Sequence, residues 1–557
     1  MNTFLKLDKF MCLLVIVFLA SCEQNKEGVN QGLIGYWELS GDAVDRSGND
    51  LQTEVHGAVS FESEDGAMKG GSAVFDGRGS WLEVQPSQAL ALGEGDFSIA
   101  SWIYTEASQD DVFGNIISWY DRSSRRGFNF GLADNATATS HANFRQLSFG
   151  VDDGHSSGWT DYGRPGNALL AFGLVEYKGD LYAGTCEAGP DEMGHVYRYG
   201  GDEKWEDCGS PDSSNSVVAL AVLDGELYVG TGHYRVKGSS LPESENIRPG
   251  GRVFRYGSSG EWESCGQLPG VETISGMVVY KGKLYASSMY SPGFFRYEGG
   301  SEWKDCGAPD NKRVEALAVY DGYLYATSWD WGHVYRYDGE KWEDCGQVGG
   351  EENTQTYAFA VYEGELYVAT WRSGRVFRFE GLNQWKDVGR LGEELEVMGM
   401  LVHNGRLMGG TLPLGEVYTY EGDTTWSRMA QLDQTADVIY RRAWTMAEHA
   451  GKVFCSTLPS GKVYGFEAGK SVLSKEALAE GWQHVAAIKT ADRLALYVNG
   501  ELTDERAIPD SLTFDLNLDV SLKIGFGPVD YFNGRIRELR LYNRAIGKEE
   551  LQALMAK

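Results

Sequence analysis

A surplus of positive charge is missing: the 557 residues include 50 basic and 80 acidic side chains, for a net charge of −30. Phosphate binding requires a basic footprint, so nucleic acid is not an expected partner. The acidity suits the solubility of an exported protein. A membrane-spanning apolar run is missing too, since Met11–Ala20 is too short to cross a bilayer comfortably. No Gly-x-Ser-x-Gly, His-Glu-x-x-His, phosphate loop or cysteine-rich metal motif occurs, and so no reaction class can be read from a signature. Apolar residues at helical spacing are absent between the repeats described next, which excludes helical repeat arrays.

What the chain has instead is repetition. Gly-x-Leu-Tyr, or a near variant, begins at Gly179, Gly225, Gly282, Gly322, Gly364, Gly405 and Gly451, at spacings of 40 to 57 residues. Periods of this size belong to propellers, solenoids and similar arrays. Within one unit, Val314–Tyr320 and Tyr323–Thr327 flank an Asp321-Gly322 turn, and His333–Tyr337 and Trp342–Cys345 flank Asp338-Gly339. Two hairpins per unit predict four-stranded blades, seven in number. The order Gly-x-Leu-Tyr, Val-Tyr-x-Tyr, Trp resembles kelch-type repeats over 158–470, although the family's paired glycines survive only near Gly184-Thr185 and Gly230-Thr231. Such a resemblance speaks to architecture rather than to activity.

Fourth strands start at Trp205, Trp262, Trp303, Trp342, Trp385 and, in degraded form, Trp426. No tryptophan follows the last third-strand phrase, Val463–Phe466, but one precedes the first unit in Trp159-Thr-Asp-Tyr-Gly163. A strand near 159–163 that completes the seventh blade would zip the ring shut. Cys208, Cys265, Cys306 and Cys345 occupy one slot of four blades, filled elsewhere by Tyr162, Val388 and Met429. Equivalent slots of different blades lie beyond the ~7 Å reach of a disulfide, so these cysteines read as small hydrophobes. Cys186 and Cys455 are left as free thiols or a pair.

At the start, Lys6 and Lys9 precede the apolar run, which ends in Leu19-Ala20-Ser21-Cys22. This resembles a bacterial lipobox. The resemblance implies a signal peptide over 1–21, lipidation of Cys22, a polar tether over 22–31, and attachment to the outer membrane of the cell envelope.

The flanks of the repeat region belong together. Leu33–Trp37, Asp45–Asn49, Ala73–Gly77 and Phe97–Trp102 resemble the first half of laminin-G-like, concanavalin-type jelly rolls. Trp482–Ala486, Leu496–Gly500, Leu522–Gly525 and Phe532–Tyr542 resemble the second. The expected fold is all-β: a jelly roll built from 32–157 and 471–557, with a seven-bladed propeller inserted at 158–470. The family resemblance also implies a calcium site on Asp45, Asn49 and Asp76, which could equally form local turns.

Candidate functional residues lie in the loops that join second to third strands and blade to blade, which open on one propeller face. They are His233, Tyr234, Arg235, Tyr290, Trp329, Trp331, His333, Trp371, Arg372, Tyr440 and Arg441. Indoles in loops can stack on sugar rings, and arginines can clamp carboxylates or sulfates. The opposite reading packs the tryptophans between loops, pairs the arginines with acids, and makes His195 and His333 part of the repeat. The long loop Gly232–Gly251 is a further candidate. Three functions fit: a lipid-anchored envelope protein that binds polysaccharide for glycan capture or degradation, a lyase or hydrolase acting on an acidic glycan, or a scaffold for envelope proteins.

Overall fold

The computed structural model describes residues 29–63, 70–106, 110–136 and 140–556, with 133–144 given by backbone alone. Cys22, the expected signal peptide and most of the expected tether lie outside the described residues. The protein is an all-β jelly-roll sandwich with an inserted seven-bladed propeller.

Each sheet of the sandwich interleaves strands from both ends of the chain. In one, Asn533–Tyr542 lies between Ser72–Asp76 and Phe97–Thr105, which in turn pairs with Gly481–Lys489 in unbroken register from Phe97↔Lys489 to Thr105↔Gly481. In the other, Leu522–Ile524 separates Trp81–Val84 from Asn115–Asp121, and Ala468–Leu473 edges Ser140–Ser156. Neither flank alone supplies a complete sheet. Alternate side chains meet between the sheets in a core that includes Trp37, Phe75, Phe97, Trp119, Phe128, Phe130 and Phe149, all at most 2 % exposed.

Blades one to six take four strands each from the continuous chain between Leu170 and Gln431. The seventh takes Arg442–His449, Lys452–Leu458 and Val463–Phe466, with Thr160–Asp161 as its outer strand. The first hairpin of every blade turns through two residues of positive φ: Asp321 (51°) with Gly322 (80°), for example, and Asn404 (45°) with Gly405 (82°). This type I′ geometry matches strand twist and makes glycine the favoured second residue, which is why the repeat phrase starts with it.

The sandwich sits on the face formed by these turns. Asp321 N–H donates to Asp111 Oδ1 and Gly322 N–H to the Asp110 carbonyl, both at 2.8 Å. Arg406, buried, binds Asp152 Oδ2 at 2.6 Å. The hairpin of Arg126–Ala136 and Ser140–Ser156 continues beyond the sandwich into the ring. Ser140 and His141 pair parallel with Leu317 and Ala318 on the first strand of blade four. One arm packs against first strands of blades two to five and the other against those of six and seven. The sandwich therefore fills the propeller's channel from the turn face.

Candidate functional site

On the opposite face the loops form an aromatic layer. Tyr290 meets Trp329 with ring centroids 6.2 Å apart, Trp329 meets Tyr357 at 6.1 Å, and Trp371 stands perpendicular to Tyr440 at 6.3 Å. Three of these rings already carry a guanidinium: Arg235 on Tyr290 at 4.3 Å, Arg313 on Trp329 at 5.7 Å and Arg442 on Tyr440 at 5.8 Å. Arg313 also grips Asp330 (2.7 Å). Burial works to raise that carboxyl, yet the hydrogen bonds from Arg313 hold it below the usual carboxylate range.

The loop after Gly232 folds back over the centre of the ring. Tyr234 and Val236 pack with Phe172, Met398 and Trp444 from blades one, six and seven. Tyr234 is buried, its backbone held at both N–H and C=O by Asn215 and its hydroxyl 2.6 Å from Ser239 Oγ. It is a core residue, unavailable to a ligand. His233 is buried with Nδ1 at 2.7 Å from Glu272, which also accepts from Arg235 at 2.8 Å. His333 reaches Asp344 at 3.0 Å and stacks on Tyr335, as His195 reaches Asp207 at 2.9 Å and stacks on Tyr197. The two histidines thus make the same contact between third and fourth strands of their blades.

Below the aromatic layer lie Glu315, Glu396 and Arg442, each less than a tenth exposed. Arg442 donates to Ser239 Oγ at 2.5 Å and lies 3.4 Å from Glu396. Burial, with the Glu396 charge beside it, pushes the Glu315 carboxyl well above its ordinary range; burial raises Glu396 against the pull of Arg442.

The residues offered to solvent are fewer. Trp331 is 66 % exposed at φ 67°, Arg372 is exposed, and Trp371 and Tyr440 are half-buried. Arg441 is half-buried, with Nε bound to the Thr435 carbonyl at 2.7 Å. Ile247, Leu414 and Ile439, in loops of the same face, are exposed large apolar side chains that motif reading passed over. Their one sequence signal is being apolar in otherwise polar loops.

The implied calcium residues do not form an oxygen cage. Asp45 accepts the N–H groups of Tyr36, Ser47 and Leu51 at 2.9–3.1 Å, and Asn49 donates to the Ile34 carbonyl at 3.0 Å. Asp76 accepts from Arg78 and Ser80 in a separate turn. The carboxylates close their own turns. Among the described residues, the group near enough to share an ion is Glu54, His56 and Glu83. Cys186 and Cys455 are buried free thiols.

Fold and site define a class: a concanavalin-type sandwich bearing a propeller. A laminin-G-like family model, described as the concanavalin A-like lectin/glucanases superfamily, matches residues 418–552. The matched stretch begins on a third strand of the propeller, whereas the sandwich strands resume at Ala468. No curated protein matches the chain. Among solved structures, a streptogramin B lyase is 10 % identical with a TM-score of 0.45, covering 56 % of this chain and 98 % of its own. YCF48 from Cyanidioschyzon merolae is 12 % identical at 0.42, covering 56 % and 99 %. The extracellular domain of the one-component system BT4673 from B. thetaiotaomicron is 13 % identical at 0.43, covering 63 % and 47 %.

Proposed function

We propose that this is a lipid-anchored protein of the bacterial cell envelope that captures polysaccharide on the propeller's loop face. The observation that carries the reading is the exposed indole of Trp331, on a loop face that also bears the half-buried Trp371 and the exposed Arg372, and where Tyr290, Trp329 and Tyr440 are already covered by arginine. An open indole and an exposed guanidinium on one face offer stacking for a pyranose ring and a fork for a carboxylate or sulfate. The lectin-type sandwich agrees with a saccharide ligand. Cys22 supplies the anchor: Cys22→Ala should leave the protein in the soluble fraction and abolish its labelling by palmitate.

Affinity electrophoresis against a panel of neutral and acidic polysaccharides tests the binding face. Retention by at least one glycan, reduced about tenfold or more in Trp331→Ala/Trp371→Ala, is the expected result. Unchanged retention of the double variant on every bound glycan would remove this face from consideration. New reducing ends or unsaturated uronate absorbance would replace capture with cleavage.

A further inference from the structure

The repeat supplies its own internal control. In blades one, four and five a basic residue at the head of the third strand bonds to an aspartate on the fourth: His195 to Asp207 at 2.9 Å, His333 to Asp344 at 3.0 Å and Arg375 to Asp387 at 2.7 Å. Each aspartate also accepts the N–H of the glycine two residues on, at 2.7–2.8 Å. Blade two keeps the base and the register but not the acid. Arg252 pairs with Gln267 as Arg375 pairs with Arg390, Phe254 pairs with Ser264 as Phe377 pairs with Asp387, and Ser264 Oγ accepts the Gly266 N–H at 3.3 Å. Ser264 thus stands where the repeat carries its carboxylate. Both Ser264 and Arg252 are exposed, and Arg252 has no carboxylate partner among the described residues.

Pairing is the rule for arginine in this chain, whose 80 acidic side chains outnumber its 50 basic ones. Away from the loop face, the buried Arg145 and Arg537 aside, each described arginine lies within 3.0 Å of a carboxylate oxygen. Among the described residues, those two again aside, the arginines without such a partner are Arg164, Arg248, Arg252, Arg372 and Arg441, and all of them stand on the loop face. Blade two contributes both Arg248 and Arg252, each exposed. Its long loop fixes the backbone at Arg248 through the buried Asn246, whose amide donates to the Glu192 and Ser213 carbonyls at 2.7 and 3.0 Å and whose Oδ1 accepts the Arg248 N–H at 3.1 Å. A guanidinium that no protein acid engages keeps its whole fork for a ligand.

We propose that Arg248, Arg252 and Ser264 form a carboxylate subsite at the blade-two rim of the loop face, and that the polysaccharide captured there is a polyuronate. A uronate carboxylate takes the place that Asp387 holds beside Arg375: Arg252 donates to it, the Ser264 hydroxyl donates to it, and Arg248 supplies a second positive charge. The subsite rests on the reading that the loop face binds polysaccharide, and adds to it the charge of the glycan and the residues that read that charge.

Calorimetric titration of the full chain with polygalacturonate, with the same polymer after its carboxylates are reduced to alcohols, and with dextran sulfate tests the assignment. Polygalacturonate should bind most tightly, and the reduced polymer about tenfold or more weaker. Ser264→Asp restores the repeat's own carboxylate. It should pair with Arg252, leave Tm unchanged or higher, and weaken polygalacturonate about threefold or more, as should Arg252→Gln. Ser264→Asn, of similar shape without the charge, should bind as wild type does. Adding Ser264→Asp to Arg252→Gln should weaken binding no further, because the new carboxylate acts by occupying Arg252. Equal binding of the reduced polymer, tighter binding of dextran sulfate, wild-type affinity in Ser264→Asp, or a further loss in the double variant would each overturn the assignment. If Trp331→Ala/Trp371→Ala weakens retention while Arg252→Gln and Ser264→Asp do not, the loop-face reading stands and the blade-two subsite falls. If no glycan of the panel binds the wild-type chain, the reading falls and the subsite with it.

Discussion

Cysteine at the fourth-strand slot shows how one residue can mislead by composition and inform by position. Cys345 is fully buried in a cluster with Val334, Val348 and Phe377, and blade five fills the same slot with Val388. If the slot asks only for a small apolar group, Cys345→Val should cost under about 1.5 kcal/mol. Cys345→Ser, which buries a hydroxyl among those side chains, should cost about 1–3 kcal/mol. Denaturant midpoints of the two variants decide, and equal losses would mean that sulfur itself matters there. The repeat made this slot legible because period and burial agree. It could not separate Trp329 from Trp331, two residues apart in one loop. Trp329 packs inward between Tyr290 and Tyr357, whereas the positive φ at Trp331 turns its neighbour out to solvent.

At the scale of the element, the first-hairpin turn of blade four does more than reverse the chain. Asp111, 3 % exposed, accepts the Asp321 N–H, and burial followed by the neighbouring Asp321 carboxylate raises its pKa from 3.8 to about 7. Between those values the folded chain holds a proton that the unfolded chain has released. This group's contribution is therefore complete below about pH 4, declines as the pH rises, and is gone above about 7. Asp111→Asn keeps an oxygen for the Asp321 N–H without the titration. Its Tm relative to wild type should rise between pH 5 and pH 8, as read by circular dichroism melts; parallel curves would place the proton elsewhere. Nothing in Asp110-Asp111 signals this role in the sequence, where it is one acidic pair among 80 acidic side chains. The loop after Gly232 announced itself by its length and its His233-Tyr234-Arg235 start. Tyr234 and Val236 draw it into the apolar cluster with Phe172, a contact between blades that periodicity does not encode.

For the whole molecule, insertion was legible because two segments resembling the halves of one jelly roll flanked a repeat. The closeness of entry and exit is visible where Ser157 N–H donates to the Glu467 carbonyl at 2.7 Å. The hairpin that enters the channel was not legible: it departs from the sandwich pattern without carrying any period of the propeller, and its pairing with Leu317 and Ala318 joins residues far apart in sequence. That insertion and the Arg406–Asp152 pair, side chains 4 % and 0 % exposed, tie host to guest. Two domains joined only by linkers would melt separately. Here each would have to withdraw part of the other's packed interior, so calorimetry of the full chain should show one cooperative transition. Arg406→Ala leaves the Asp152 carboxylate buried without its ion pair, a loss of about 3–5 kcal/mol. With that tie removed the endotherm should move down and broaden or split, the propeller and sandwich unfolding at different temperatures. A wild-type chain that already melts in two well-separated steps would mean that the hairpin fills the channel without coupling the domains.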